Sequence, residues 1–314
     1  MSNPHMARAV VDLTERSSPR DVSLLYIGTA SYDIPLFRQQ QTNAFIDMGC
    51  EVASLDVANQ RPDHDEMEEA VSNADIIVVS GGNTLYALDR WRYLGLDEML
   101  QSAAQRGTVM AGGSAGAICW FDSGHSDSAD PETFRLHKLD KFKDGKAASG
   151  TTGNNSPFTY YSGNTQEGDS KEWPYIKIQG LGIFPGLVCP HYDRIQSNGV
   201  ARMHDFDNII EEFGQYELGI GIDHNAALQV DGDNFRVVSI PGETGSVHLC
   251  DIGTTTVPGV WLKYLDETGN VRAKVCPTSG KLSTLLQEVN DPEKHFLVDK
   301  RVDLCRKENP LLRD

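Results

Sequence analysis

The chain has 314 residues, and its 28 Lys and Arg against 45 Asp and Glu give a formal net charge of −17. That balance excludes a general nucleic-acid binder, which needs a basic face to neutralise phosphates. No apolar run approaches a membrane span or a signal-peptide core, so a cytoplasmic protein without a membrane partner is expected. Six scattered cysteines, Cys50, Cys119, Cys189, Cys250, Cys276 and Cys305, lack C-x-x-C pairing and predict reduced, buried thiols. Neither a metal nor a cofactor is expected.

Residues 1–21 read as an N-terminal extension and 22–314 as one domain. Val22–Ile27 is an apolar run closing on Gly28-Thr29-Ala30-Ser31, which predicts a strand, then a helix over Leu36–Met48. The pattern repeats as strand Glu51–Val57, helix Asp65–Val71, strand Asp75–Val79, helices Thr84–Trp91 and Leu96–Gln105, and strand Thr108–Ala111. Short apolar strands alternating with helices predict an α/β fold, its mostly parallel sheet covered by helices on both faces. Active sites in such sheets lie at the carboxyl ends of strands, where Ser31, Gly81-Gly82-Asn83 and Ser114 fall.

Periodicity fades from Asp127 to Trp173, and the stretch near 129–173 reads as a long insertion. Patterning resumes at Tyr175–Ile178 and at Gly182–Cys189, which leads into Pro190-His191-Tyr192-Asp193. A helix is predicted over Val200–Phe213, then a strand Leu218–Ile222 running into Asp223-His224-Asn225. Ala227–Val230 and Phe235–Val238 flank a hairpin turn at Asp231-Gly232-Asp233-Asn234, and Val260–Leu265 with Val271–Val275 add a second pair. Antiparallel strands therefore finish the domain.

Gly112-Gly113-Ser114-Ala115-Gly116 fits G-x-S-x-G between a predicted strand and a helix beginning in Ala117–Phe121, the context of a nucleophile elbow. Glycines flank the serine because the turn is tight, and N–H groups at a helix start suit a developing oxyanion. Close packing or phosphate binding would also explain a Gly/Ser-rich turn.

A serine hydroxyl needs a base and a group that orients the base. Of nine histidines, His5, His64, His137, His204, His248 and His295 lie in polar tails, helix faces or late strands. His125, His191 and His224 remain. His191 is favoured because it follows an apolar strand and a proline at a strand's carboxyl end. For the orienting acid, Asp223 ends the core strand Leu218–Ile222, while Asp127 lies in the polar segment Gly124–Ser128.

These motifs, taken in order from Ser80-Gly81-Gly82-Asn83-Thr84 through Gly112–Ala117, Gly124–Ser128, Cys189–Tyr192 and Gly221–Asp223, resemble peptidase E, the aspartyl dipeptidases, with cyanophycinase as a relative. The resemblance spans roughly Ser23 to Val238. It implies a class I glutamine amidotransferase-like fold, with Ser114 as nucleophile, His191 as base, and Gly82 and Ala115 as oxyanion donors. Asp223 matches a position where the bacterial aspartyl dipeptidases carry glutamate, and Asp127 roughly matches another aspartate proposed for the triad. Recognition of a substrate carboxylate by an arginine falls to Arg202 or Arg194, with Asn83 also lining the substrate site. The long insertion and the tail after Gly242 depart from the minimal dipeptidase.

The expected activity is serine-peptidase hydrolysis of small peptides, foremost dipeptides with N-terminal aspartate, through a Ser-His-Asp triad and an acyl-enzyme. The expected partner is the peptide itself, with a homodimer left open. The alternatives are cyanophycinase-like or isoaspartyl hydrolysis, or a non-catalytic amidotransferase-like module that binds a small acidic ligand. A cysteine hydrolase is disfavoured: Cys119 lies inside the helix after the elbow, and alternation at a strand end does not guarantee that Cys189 and His191 meet.

Overall fold

A computed structural model describes residues 2–134, 173–213, 217–248, 256–286 and 297–309. Most of the insertion lies outside these residues. The first sheet is parallel, in the order β2 (Glu51–Ser54), β1 (Ser23–Ile27), β3 (Ile76–Val79), β4 (Val109–Gly112). Apart from Ser23 its central strands, β1 and β3, are apolar because both faces are covered, and all four residues of β3 are inaccessible to solvent.

Alternation of side chains sends each strand's residues to opposite cores. Leu24, Tyr26, Ile76 and Val78 meet Ala7 and Val11 of α1 (Pro4–Val11) and Ala44 and Phe45 of α2 (Pro35–Met48). Leu25, Ile27, Ile77 and Val79 share the opposite core with α3 (His64–Ser72), α4 (Thr84–Leu94) and α5 (Leu96–Gln105), centred on Trp91. The helices stop where the sequence supplies caps. Asp63 accepts a hydrogen bond from Glu66 N–H at 2.8 Å at the start of α3, and Gly49 and Gly95 end α2 and α4 in the left-handed region.

The second sheet is mixed. α6 (Ala115–Ile118) leads into β5 (Phe121–Ser126), which pairs antiparallel with β6 (Ile176–Gln179) and parallel with β7 (Phe184–Pro190). α7 (Arg202–Phe213) follows, and then β8 (Gly219–Ile222), parallel to β7. A hairpin comes next, β9 (Ala226–Asp231) with β10 (Asn234–Ser239), joined by a two-residue turn in which Gly232 has φ 54°. After β11 (Val247–His248) and β12 (Thr256–Val257), strands β13 (Val260–Leu265) and β14 (Val271–Val275) extend the second sheet antiparallel from β8, and β15 (Ser279–Lys281) joins β10. The fold is therefore the expected mixed α/β arrangement, a parallel sheet with helices on both faces plus antiparallel strands.

Two local expectations change. The residues before Val22 contribute α1, whose Ala7 and Val11 are buried against the first sheet. The helix after Ser114 is only one turn long, and Phe121–Ser126, expected to be helix and then polar loop, is the strand β5. Its polar residues escape an apolar pattern because hydrogen bonds compensate their burial. Ser123 Oγ donates to Glu217 Oε1 at 2.6 Å, and His125 Nε2 lies 2.9 Å from Asp205 Oδ1.

α6 is wedged between the two sheets by contacts with backbone atoms. A Cβ on Gly116 would lie 2.3 Å from Val79 O, and one on Gly124 would lie 2.5 Å from Ile118 Cγ2. Gly116→Ala should therefore lower stability by about 1–3 kcal/mol or more, the cost of overpacking, seen as a lower urea midpoint. An unchanged midpoint would mean that β3 and α6 separate easily.

Candidate active site

Ser114 stands between β4 and α6 with φ 57° and ψ −122°, a conformation that costs a non-glycine residue about 1–3 kcal/mol. The surroundings enforce it: a Cβ on Gly112 would lie 2.6 Å from Gly116 backbone atoms, so strand and helix meet without side chains between them. Gly81 faces the serine directly, its Cβ position being 3.2 Å from Ser114 Cβ and 3.9 Å from Oγ. Gly82 (φ 135°) presses on Ala30 O, and Asn83 N–H donates to that same oxygen at 2.8 Å. Among the described residues the Gly82 and Ala115 N–H groups make no backbone hydrogen bond. The elbow thus gathers a strained serine, a glycine facing its side chain and two backbone N–H groups on the adjoining segments.

His191 directly follows β7 and has φ 54°, so it too occupies the left-handed region. Its Nδ1 lies 2.9 Å from Nδ1 of His224, and the rings are tilted by 32° with centroids 5.1 Å apart. The β7–β8 register, Pro190 opposite Ile222, brings the ends of these strands side by side. Desolvation, then the neighbouring His224, Arg202 and Arg194, holds the His191 imidazolium well below the ordinary histidine range. His224 is pushed the same way by burial and Arg194, with Asp193 and Glu243 opposing.

The carboxylates expected near His191 are engaged elsewhere. Asp223 accepts from Ser246 N–H at 2.8 Å, Ser246 Oγ–H at 2.7 Å and Gly259 N–H at 3.0 Å, which ties the end of β8 to the segments around β11 and β13. Asp127, just beyond β5, pairs with Arg202 at 2.7 Å. Arg202 is fully buried: it also donates to His125 O at 3.1 Å and lies over the Tyr175 ring at 5.1 Å. Burial pushes His125 down to about 4, so beside Arg202 it is neutral at pH 7.

Arg194 is partly exposed, 3.6 Å from Asp193, whose other oxygen accepts the His224 N–H at 2.7 Å. Asn83 is buried and caps α4: its Oδ1 accepts from Tyr86 N–H at 2.9 Å while Nδ2 donates to Ser128 O and Thr133 Oγ1. The structure thus groups His191, His224 and Arg194, whereas Arg202 and Asp127 form a separate buried network. His224 follows a core strand just as His191 does, and strand order in the sheet is what the linear sequence lacked to pair them.

Asp127→Ala should cost about 3 kcal/mol or more, because it strips a buried guanidinium of its carboxylate; chemical denaturation reads this directly. Asp127→Asn, which keeps an acceptor, should cost less. Equal wild-type stability in both would show that the pair is energetically neutral.

A family model described as "Peptidase family S51" matches residues 1–143 and 139–238. A Trypanosoma brucei brucei protein described as a G2/mitotic-specific cyclin-1 is 27% identical over 285 residues, 86% of this chain and 78% of that protein. An uncharacterized peptidase YgaJ from Bacillus subtilis is 36% identical over 191 residues, 61% of this chain; the match spans 62% of that relative's own length. The crystal structure of a peptidase from an acI-B1 Actinobacterium shares the fold, with a TM-score of 0.54 at 19% identity, covering 89% of this chain and 92% of that one. The two family segments together cover most of the sequence, including Ser80–Thr84, the elbow, His191 and Asp223, and the chain accordingly belongs to peptidase family S51.

Proposed function

We propose that the chain is a serine peptidase that cleaves small peptides, foremost dipeptides with N-terminal aspartate, through an acyl-enzyme on Ser114. The observation that carries this reading is the strained serine at φ 57° facing Gly81, with Gly82 and Ala115 next along the two segments that meet there. Ser114 Oγ attacks the scissile carbonyl while His191 takes its proton, and the two N–H groups receive the oxyanion. The tetrahedral intermediate collapses as His191 returns the proton to the departing amine nitrogen. Water then repeats the sequence on the ester.

The N-terminal aspartate is read by Arg194, which is partly exposed and lies close enough to both histidines to depress their protonation. Its planar fork suits a carboxylate. Arg202, with its guanidinium on Asp127 and His125, serves in this proposal as a support beneath the site.

The decisive experiment is a panel of Asp-X, isoaspartyl, β-aspartyl-arginine and neutral dipeptides. Asp-X substrates should be cleaved fastest, and Ser114→Ala should lower kcat by about 10⁶. Arg194→Leu should raise KM for Asp-X more than for neutral dipeptides. No hydrolysis across the panel, or turnover surviving Ser114→Ala, would overturn the reading.

The pH dependence follows from the depressed His191. A general base must be neutral, and a lowered pKa keeps it neutral to lower pH, so activity is retained below about 6.5, the free histidine value. The acid limb of kcat/KM should therefore lie below that value; a limb above it would place an anion beside His191.

A further inference from the structure

We infer that His191 is oriented by the imidazole of His224, making the constellation Ser114–His191–His224. The proposal rests on the reading of Ser114 and His191 as nucleophile and base, and adds the group that positions the base. It starts from the 2.9 Å contact between the two Nδ1 atoms. Such a contact is a hydrogen bond when one nitrogen carries a proton and the other a lone pair. With the proton on His191 Nδ1, Nε2 carries the lone pair, which is the tautomer a general base requires.

The pair also admits the charge states of acyl transfer. As the Oγ–C bond forms, the Ser114 proton moves to His191 Nε2, and the resulting imidazolium keeps its Nδ1–H on His224 Nδ1. That proton then passes from Nε2 to the amine nitrogen as the C–N bond breaks, restoring the starting pair. No proton needs to move onto His224. Two imidazolium rings facing through Nδ1 would oppose N–H to N–H, so the geometry disfavours the doubly charged state.

His224 is held for this task by its own surroundings. Asp193 accepts its backbone N–H at 2.7 Å, and Asn225 turns the chain away at φ 67° while its side chain reaches Glu243. The charged groups that act on the pair are Arg194 and, from the buried network, Arg202 on His191, with Arg194, Asp193 and Glu243 on His224. Asp223 is adjacent in sequence, yet its oxygens take the three hydrogen bonds from Ser246 and Gly259. Asp223 therefore anchors the segment that presents His224.

The test is fluorophosphonate labelling of the full chain, followed by intact mass, with the rate measured against pH. Labelling of the wild type should be lost in Ser114→Ala and His191→Ala. His224→Ala should slow it by about 10²-fold, less than the 10⁴ lost when a charged orienting carboxylate is neutralised in a serine protease. His224→Gln, whose amide oxygen can accept from Nδ1–H, should recover at least about tenfold of that loss. His224→Glu should label with its acid limb moved up by about one pH unit or more, because an adjacent anion favours the imidazolium. That apparent pKa is independent of the fraction of active protein, so it remains informative if substitution lowers stability. Wild-type rate and pH profile in His224→Ala and His224→Glu would overturn the role of His224 alone. Absence of labelling in the wild type, or labelling that survives Ser114→Ala, would overturn the nucleophile assignment beneath it.

Discussion

The site depends on one contact: the backbone of α6 lying against the backbone of β3, with Gly116 where any side chain would fall 2.3 Å from Val79 O. A helix this close to a strand leaves a very short turn for the chain leaving β4, and Ser114 absorbs the reversal at φ 57°. The strain is offset by packing on both sides, since Ala115 and Ile118 are almost wholly buried in the central core. Gly81, in the loop after β3, lies against the serine, and Gly82 beyond it packs on Ala30. The serine's backbone conformation and the close approach of Gly81 thus share one steric cause.

The second support is electrostatic. β5 runs through the interior carrying Ser123, His125 and Ser126, residues that would be costly there without partners. Ser123 pairs with Glu217, His125 with Asp205 and Ser126 with Thr84 and Ser128, and just beyond the strand's end Asp127 pairs with Arg202. Arg202 belongs to this scaffold at the start of α7, and Arg202 N–H donates to Arg194 O at 2.9 Å. The buried network thereby connects to the loop bearing Arg194 and His191. Arg194 is left partly exposed, so two arginines of the same short segment differ in burial.

The contact between His191 and His224 sets the proposed chemistry apart from a carboxylate-based triad. A carboxylate stabilises the imidazolium by charge, whereas an imidazole holds tautomer and direction without adding an anion. Arginines nearby and a neutral partner both favour an uncharged His191. In the proposed reaction, a neutral base next to Arg194 also leaves the arginine's charge to an acidic substrate.

Much of this was legible in the linear sequence. Apolar runs such as Ile76–Val79, alternating with helical segments, mark strands covered on both faces, and Gly112 and Gly116 of the elbow sit where no side chain fits. The residues of the serine's own neighbourhood are therefore set by local sterics, which one-dimensional spacing records. β5 was not legible, because its burial is compensated by hydrogen bonds to residues about 80 to 94 positions away and leaves no apolar pattern. Nor was the partner of His191. Asp223 and His224 are neighbours in sequence, and only the pairing of β7 with β8, together with the three donors that claim Asp223, decides which of them meets the imidazole.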